Sequence, residues 1–442
     1  MLLVAGDPSH AKGEHEFLDN ATLLADTLND AGSGLEARVI EGFPSPETLA
    51  TADTLFIFSD GLEDHVARGH LQDLEQHVAK GGGLGIIHFA LEPPDEAMGQ
   101  FFDHVLGGHF VINHSVNPIW TLKEPILTDH PIANGVELES VEDEWYYHIR
   151  FVHEVEPILQ GHPPLDSLGT DGPRSGNPSV RKALHENRPQ TLAWVRTTES
   201  GTRAFAFTGG HWHFNFGDEH YRRLLLNAIL WTAKLEVPNE GVAFEAVPIP
   251  RYEHIDLSIA RGDLADVARH VKAHPESLNK GRSAALPPLH IAILRQQSAI
   301  VEYLVNAGAD LNRLDSSQRS PVHLAVDRNM PEIIQLLLTH KADPDTLCRV
   351  GWSPLHHAAA QNRASILEAL LKGGADPMRL SEQGGTPLHE AAATGGLAIS
   401  KMLIEAGTDP SIVSKTGVTA LDVAIEFENE AVLPFLRSLA DQ

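Results

Sequence analysis

Residues 65–94, HVARGHLQDLEQHVAKGGGLGIIHFALEPP, decide the fold of the first half of the chain. Apolar residues recur at helical spacing as far as Val78, and Gly81, Gly82 and Gly83 stop the helix. LGIIHFA (84–90) follows as a strand apolar enough for burial on both faces, the pattern of a central parallel strand. Working backwards, MLLVAG (1–6), EARVIEG (36–42) and DTLFIFSD (53–60) are further strands, and HEFLDNATLLADTLNDAG (15–32) is a helix. Working forwards, NPIWTLK (117–123), TLAWVRT (191–197) and RAFAFTGG (203–210) are strand-like, and DEHYRRLLLNAILWTAKL (218–235) closes the segment as a helix. Strands alternating with helices predict an α/β domain over 1–242 built on a mostly parallel sheet with right-handed crossovers.

The second half repeats. PPLH ends at His290, SPVH at His323, SPLH at His356 and TPLH at His389, with TALD ending at Asp422, and each step is 33 residues. GAD or its variants at 308–310, 341–343, 374–376 and 407–409 keep the same step. Each unit holds two short helical patterns, too small to bury an apolar face alone, so stacked units must supply the core and atypical end units must cap it. An all-α solenoid is expected over 255–442, about six units including the degenerate ends. Its histidines are expected to bond backbone within and between units, because side chains about 10 Å apart on successive units cannot share one metal. VPNEGVAFEAVPIPRYEH (237–254) has three prolines and no helical period, so 243–254 is a linker, or a strap laid on one domain.

Composition narrows the function. Of 33 basic and 60 acidic side chains, residues 1–240 hold 15 and 36, and the net charge of −27 argues against nucleic acid, whose phosphates need clustered Lys and Arg. No apolar run approaches the roughly 18 residues of a membrane span, and MLLVAGDPSH lacks the basic flank of a secretory leader. With Cys348 the only cysteine, a reducing, cytoplasmic setting is expected and a disulfide framework is excluded.

Ligands of open α/β sheets lie beyond the carboxyl ends of the strands. GDPSHAKGEH follows the first strand, HFALEPP the fourth and GGHWHFNF the late one, which brings His10, His15, His88, His211 and His213 to one edge. Neutral imidazoles gathered with a carboxylate suit zinc or a similar divalent ion. The candidate ligands are His10, His88 and His211, with Glu144 or Asp143 as carboxylate ligand or base and His88 also a catalytic candidate. The same residues could instead line a metal-free polar pocket or brace its floor. DEWYYHIRF (143–151) gives two readings: a sugar platform of Trp145, Tyr147 and Arg150, joined by Trp212 and His213, or a strand with Trp145 and Tyr147 in the core. His65, His70, His77, His104, His162 and His185 are expected at the surface.

SHAKGEHEF (9–17), GLGIIHFA (83–90), SVNPIW (115–120), DEWYYHIRF and TGGHWHFNFGDEHYRRLLLNAILWTAK (208–234) resemble, in order, the ThuA-like family, a branch of the flavodoxin-like class I glutamine amidotransferase-like fold. The repeats resemble ankyrin repeats, which implies an unidentified protein partner. The first resemblance implies a carbohydrate role, on a sugar or keto-sugar. The fold relatives carry a nucleophilic Cys on a sharp turn after a central strand, where this chain has His88 or Phe89, so Cys-dependent amidotransferase chemistry is excluded. The expectation is a metal-assisted lyase, hydratase or isomerase acting on a sugar, without a nucleotide cofactor. The alternative is a non-catalytic ligand-sensing domain coupled to the ankyrin module.

Overall fold

The computed structural model describes residues 1–7, 10–282, 286–394 and 396–440. Ser9 of the SHAKGEHEF segment and Ser283 of the first repeat unit lie outside the described residues. The chain divides into two compact units, Met1–Arg251 and Tyr252–Gln442.

The first unit is built on an eight-stranded sheet. Its strands are β1 (Leu2–Ala5), β2 (Arg38–Glu41), β3 (Thr54–Phe58), β4 (Gly83–Ile87), β5 (Ile126–Leu127), β6 (Glu156–Gly161), β7 (Gln190–Thr197) and β8 (Arg203–Phe207), in the order β2-β1-β3-β4-β8-β7-β6-β5. β2, β1, β3, β4 and β8 run parallel, and β7, β6 and β5 continue antiparallel. Every residue of β3 and β4 is buried, as central strands covered on both faces require. Helices Phe17–Asp30 and Glu219–Thr232 pack apolar residues into one core, and Leu71–Ala79 and Glu96–Leu106 into another. The third helix is shorter than its sequence pattern, because Gly69 takes a left-handed φ of +82° and residues 65–70 turn ahead of it. NPIWTLK stands outside the main sheet: Ile119–Leu122 pairs with Val141–Glu144 in a two-stranded ribbon. DEWYYHIRF is not one strand. Its first two residues end that ribbon, and Arg150–Phe151 pairs with Gly108–His109.

Residues 243–251 lie on the first unit. Val242 is buried and donates its N–H to Asn227, an added Cβ on Gly217 would strike Ile249, and Arg251 stacks over Trp212 at 4.8 Å. The second unit is a stack of paired helices from Ile255–Arg261 to Leu433–Ala440 around a continuous aliphatic core. Its repeating histidines tie the stack together. His323 Nδ1 accepts from the Ser320 N–H while Nε2 donates to the Trp352 carbonyl of the next unit at 3.1 Å. His356 does the same between Ser353 and Gly385, and His389 between Thr386 and Val418. At His290 the capping position is Pro287, which has no N–H, and His290 Nδ1 has no partner among the described residues.

Candidate functional site

The carboxyl ends of four neighbouring parallel strands deliver the polar residues to one place. The loop after β1 carries His10 and His15, β3 runs into Asp60, β4 into His88, and β8 into Thr208 and His211. Glu144 arrives from the end of the side ribbon. His15, His88, Glu144 and His211 each offer one ligand atom, and these atoms all lie within 4.8 Å of one another.

The contacts are close. His211 Nδ1 is 3.1 Å from His15 Nε2 and 3.4 Å from Glu144 Oε2, and His88 Nε2 is 3.3 Å from the same oxygen. Two ligands bound to one divalent ion at about 2.1 Å stand about 3.0–3.4 Å apart, for octahedral and tetrahedral angles respectively. The far nitrogens are anchored. His88 Nδ1 meets the Thr208 carbonyl at 2.8 Å and His15 Nδ1 meets Asp60 at 3.2 Å, which leaves Nε2 of each aimed inward. His88 Nε2 is buried and, among the described residues, faces only the Glu144 carboxylate, at 3.3 Å. A buried nitrogen turned to a carboxylate in this way fits a cation ligand.

Electrostatics agree with the geometry. Burial pushes the His15 imidazole down to about 4 against the pull of Asp60, so it is neutral near pH 7. Burial would lower His88 as well, but the neighbouring Glu144 carboxylate outweighs it and the net shift is upward. Burial would raise Glu144, yet His211 and His88 together hold it down to about 2. A carboxylate that acidic is a better cation ligand than proton acceptor.

Backbone strain marks the same residues. His15 and His88 take left-handed φ values of +47° and +55°, a conformation costly for a non-glycine residue and held only where the surroundings impose it. His88 occupies the sharp turn directly after β4. Gly209 precedes His211 with no room for a side chain, since a Cβ there would lie 2.6 Å from Trp145 and 2.8 Å from the Tyr221 hydroxyl.

Several candidates are corrected. Asp143 is fully buried and saturated: its carboxylate accepts from the N–H groups of Glu144, Gly210 and His211, from Asn215 and from the Tyr221 hydroxyl. It fixes the His211 loop and has no lone pair to spare as ligand or base. His10 is not one of the four but belongs, with His15 and Asp60, to a second group whose ligand atoms could hold a metal ion; it is exposed, with its ring 3.8 Å from that of His15. Trp145 and Tyr147 are core residues, bonded to the Val141 carbonyl and to Ser167, so neither presents a face to a sugar. Arg150 points to Asp103 and lines a separate cavity. His213 is bonded to Asn20 at 2.6 Å, while Trp212 stands edge-on to His211 at 4.5 Å. His65 and His77 are buried rather than superficial, bonded to the carbonyls of Ala90 and Gly83.

Asp60, which braces His15, is the contributor the sequence reading did not select, visible only as the polar end of a strand. A carboxylate just past the end of a parallel strand was the available signal.

Among the described residues no helix is long and apolar enough to cross a membrane. No curated protein matches the chain. Ankyrin repeats are matched in overlapping sets from 258 to 441, a family that supports protein–protein interaction. The ThuA family, described as trehalose utilisation, matches residues 8–232, just over half of the chain. The chain therefore belongs to the ThuA, trehalose utilisation, family and carries an ankyrin array behind that domain.

Proposed function

We propose that the first unit holds one divalent cation at His15, His88, Glu144 and His211 and acts on a sugar or keto-sugar beside it, while the ankyrin array docks a protein partner. The observation that carries this reading is the meeting of four ligand atoms at the strand ends, two of them braced from behind. A bound cation supplies Lewis-acid polarisation of a carbonyl or hydroxyl oxygen. The chain's own residues do the rest. Asp60 and the Thr208 carbonyl orient His15 and His88, and Asp143 pins the backbone on which Glu144 and His211 sit. His10, exposed against His15, is placed to move a proton at the adjoining carbon, work suited to an imidazole. The reaction class is hydration, elimination or isomerisation, and the family's description supports a carbohydrate substrate.

One observation favours a second reading, ligand sensing without turnover. Asp143 is saturated and Glu144 is held near 2, so neither of these carboxylates is poised as a base. On the array, Leu314, Leu380 and Val413 are exposed at steps of 33 or 66 residues, an apolar ladder suited to a protein surface.

The test incubates the full chain, supplemented with zinc or manganese, with trehalose and its 3-keto derivative, and follows products by NMR. Turnover abolished by chelation and by His88→Ala/His211→Ala is the expected result. Binding without turnover selects the sensor, and neither binding nor turnover contradicts both.

A further inference from the structure

His15 has two ring nitrogens, and the cation centre proposed above uses one of them. His15 Nε2 faces His211 at 3.1 Å, whereas His15 Nδ1 faces the Asp60 carboxylate at 3.2 Å. On that second side His10 completes a group of its own. His10, His15 and Asp60 each offer one ligand atom, and these atoms all lie within 4.8 Å of one another. The 3.2 Å between His15 Nδ1 and Asp60 Oδ1 lies within the roughly 3.0–3.4 Å of two ligands on one divalent ion.

The loop that carries both histidines is held in place. His15 donates its N–H to the His211 carbonyl at 2.9 Å, and His213 donates to the Gly13 carbonyl at 3.0 Å. β1, which feeds this loop, pairs with β3, which runs into Asp60, so imidazole and carboxylate meet at neighbouring strand ends. Asp60 and His15 are buried, while His10 is exposed. An ion entering from the His10 side therefore meets a buried imidazole–carboxylate pair behind it. Two nitrogens and one carboxylate oxygen suit zinc and its borderline neighbours, whereas calcium and magnesium take oxygen ligands.

We propose that His10, His15 and Asp60 form a second, weaker cation site that shares His15 with the first, so that two divalent ions flank one imidazole. As the second ion binds, the proton between His15 Nδ1 and Asp60 leaves to solvent and the ring becomes a bridging imidazolate. The imidazolate, Asp60 and Glu144 set three negative charges against the two ions and limit their repulsion. The second site has three ligands against four, one of them on an exposed ring, so it fills only in excess metal. His10 cannot hold an ion and carry a proton at once, so the second ion removes it from the proton transfer assigned to it above. The second site presupposes the first cation centre and adds a further occupancy to it.

The test is equilibrium dialysis of the full chain against rising free zinc, with bound metal read by mass spectrometry, beside His10→Ala and, as a control at another exposed histidine, His104→Ala. The wild type and His104→Ala are expected to bind a first equivalent tightly and a second at free zinc at least tenfold higher. His10→Ala should keep the first and, in the same excess of zinc, hold one equivalent fewer than the wild type. Equal binding by His10→Ala and the wild type overturns the second site, as does a wild type that stops at one equivalent, and both results leave the first centre standing. Loss of the first equivalent in His10→Ala would put His10 in the first centre and also overturns the second. A wild type that binds no zinc overturns both.

Discussion

His15 in the first unit and His323 in the second are both buried, and burial pushes both down to about 4. They nonetheless do different work, and the second ring nitrogen shows why. In the array, Nδ1 accepts from a capping residue and Nε2 donates to the next repeat, so both nitrogens are spent on backbone or cap. At the strand ends, Nδ1 of His15 and of His88 is spent on Asp60 or a carbonyl, and Nε2 converges with Glu144 and His211 on one point. Burial and a lowered pKa are therefore common to His15 at the strand ends and to the histidines of the array. What separates them is whether the remaining nitrogen meets a backbone carbonyl of the next repeat or the side chains of the strand-end cluster.

The contrast can be broken at several points, from the largest expected effect to the smallest. Asp143→Ala leaves five donors without their acceptor in the core of the first unit, three of them N–H groups of the site's own backbone. A loss of about 3–5 kcal/mol in denaturant unfolding is expected for that unit, with the array's hydrogen-exchange protection unchanged. His356→Ala removes a cap acceptor and an inter-repeat bond together. About 2–3 kcal/mol should be lost from the array, measurable by hydrogen exchange on either side of Ser353, with no effect on the first unit.

Acid should act on the array through the same histidines. His323 and His356 are held at about 4 in the folded chain against 6.5 for a free imidazole. Between those values the unfolded chain binds the extra protons. The stability is therefore complete above pH 6.5 and lost as pH falls towards 4, by up to about 1.4 kcal/mol per pH unit for each histidine. Urea midpoints of the array at pH 7 and 5, compared with His356→Gln, check the sign: the variant should lose less on acidification. Ser320→Ala, which removes one cap oxygen opposite His323, should cost only about 1 kcal/mol.

The repeat array was legible because a 33-residue step in SPLH and GAD needs no three-dimensional knowledge to detect. β1 to β4 were legible as apolar runs with glycine stops. DEWYYHIRF misled because aromatic residues that fill a core and aromatic residues that stack on a sugar look alike in one dimension, and only the burial of Trp145 and Tyr147 separates them. The strand-end logic placed His88 and His211 together but favoured His10 over His15, and it offered Glu144 only beside Asp143 as the carboxylate. That exchange depends on Gly13 and His15 both turning left-handed within the loop, a path that no periodicity encodes. Asp143 and Glu144 were indistinguishable as neighbours in sequence. On an extended strand end they face opposite ways, one into a cage of donors and one into the site.

The most direct test of the account is the metal content of the purified full chain by mass spectrometry, beside His88→Ala/His211→Ala and His356→Ala. Convergence of the strand-end histidines on one cation predicts about one equivalent in the wild type and in His356→Ala, and none in the double variant. A folded, metal-supplemented wild type that retains no metal, or a double variant that retains it, would contradict the account.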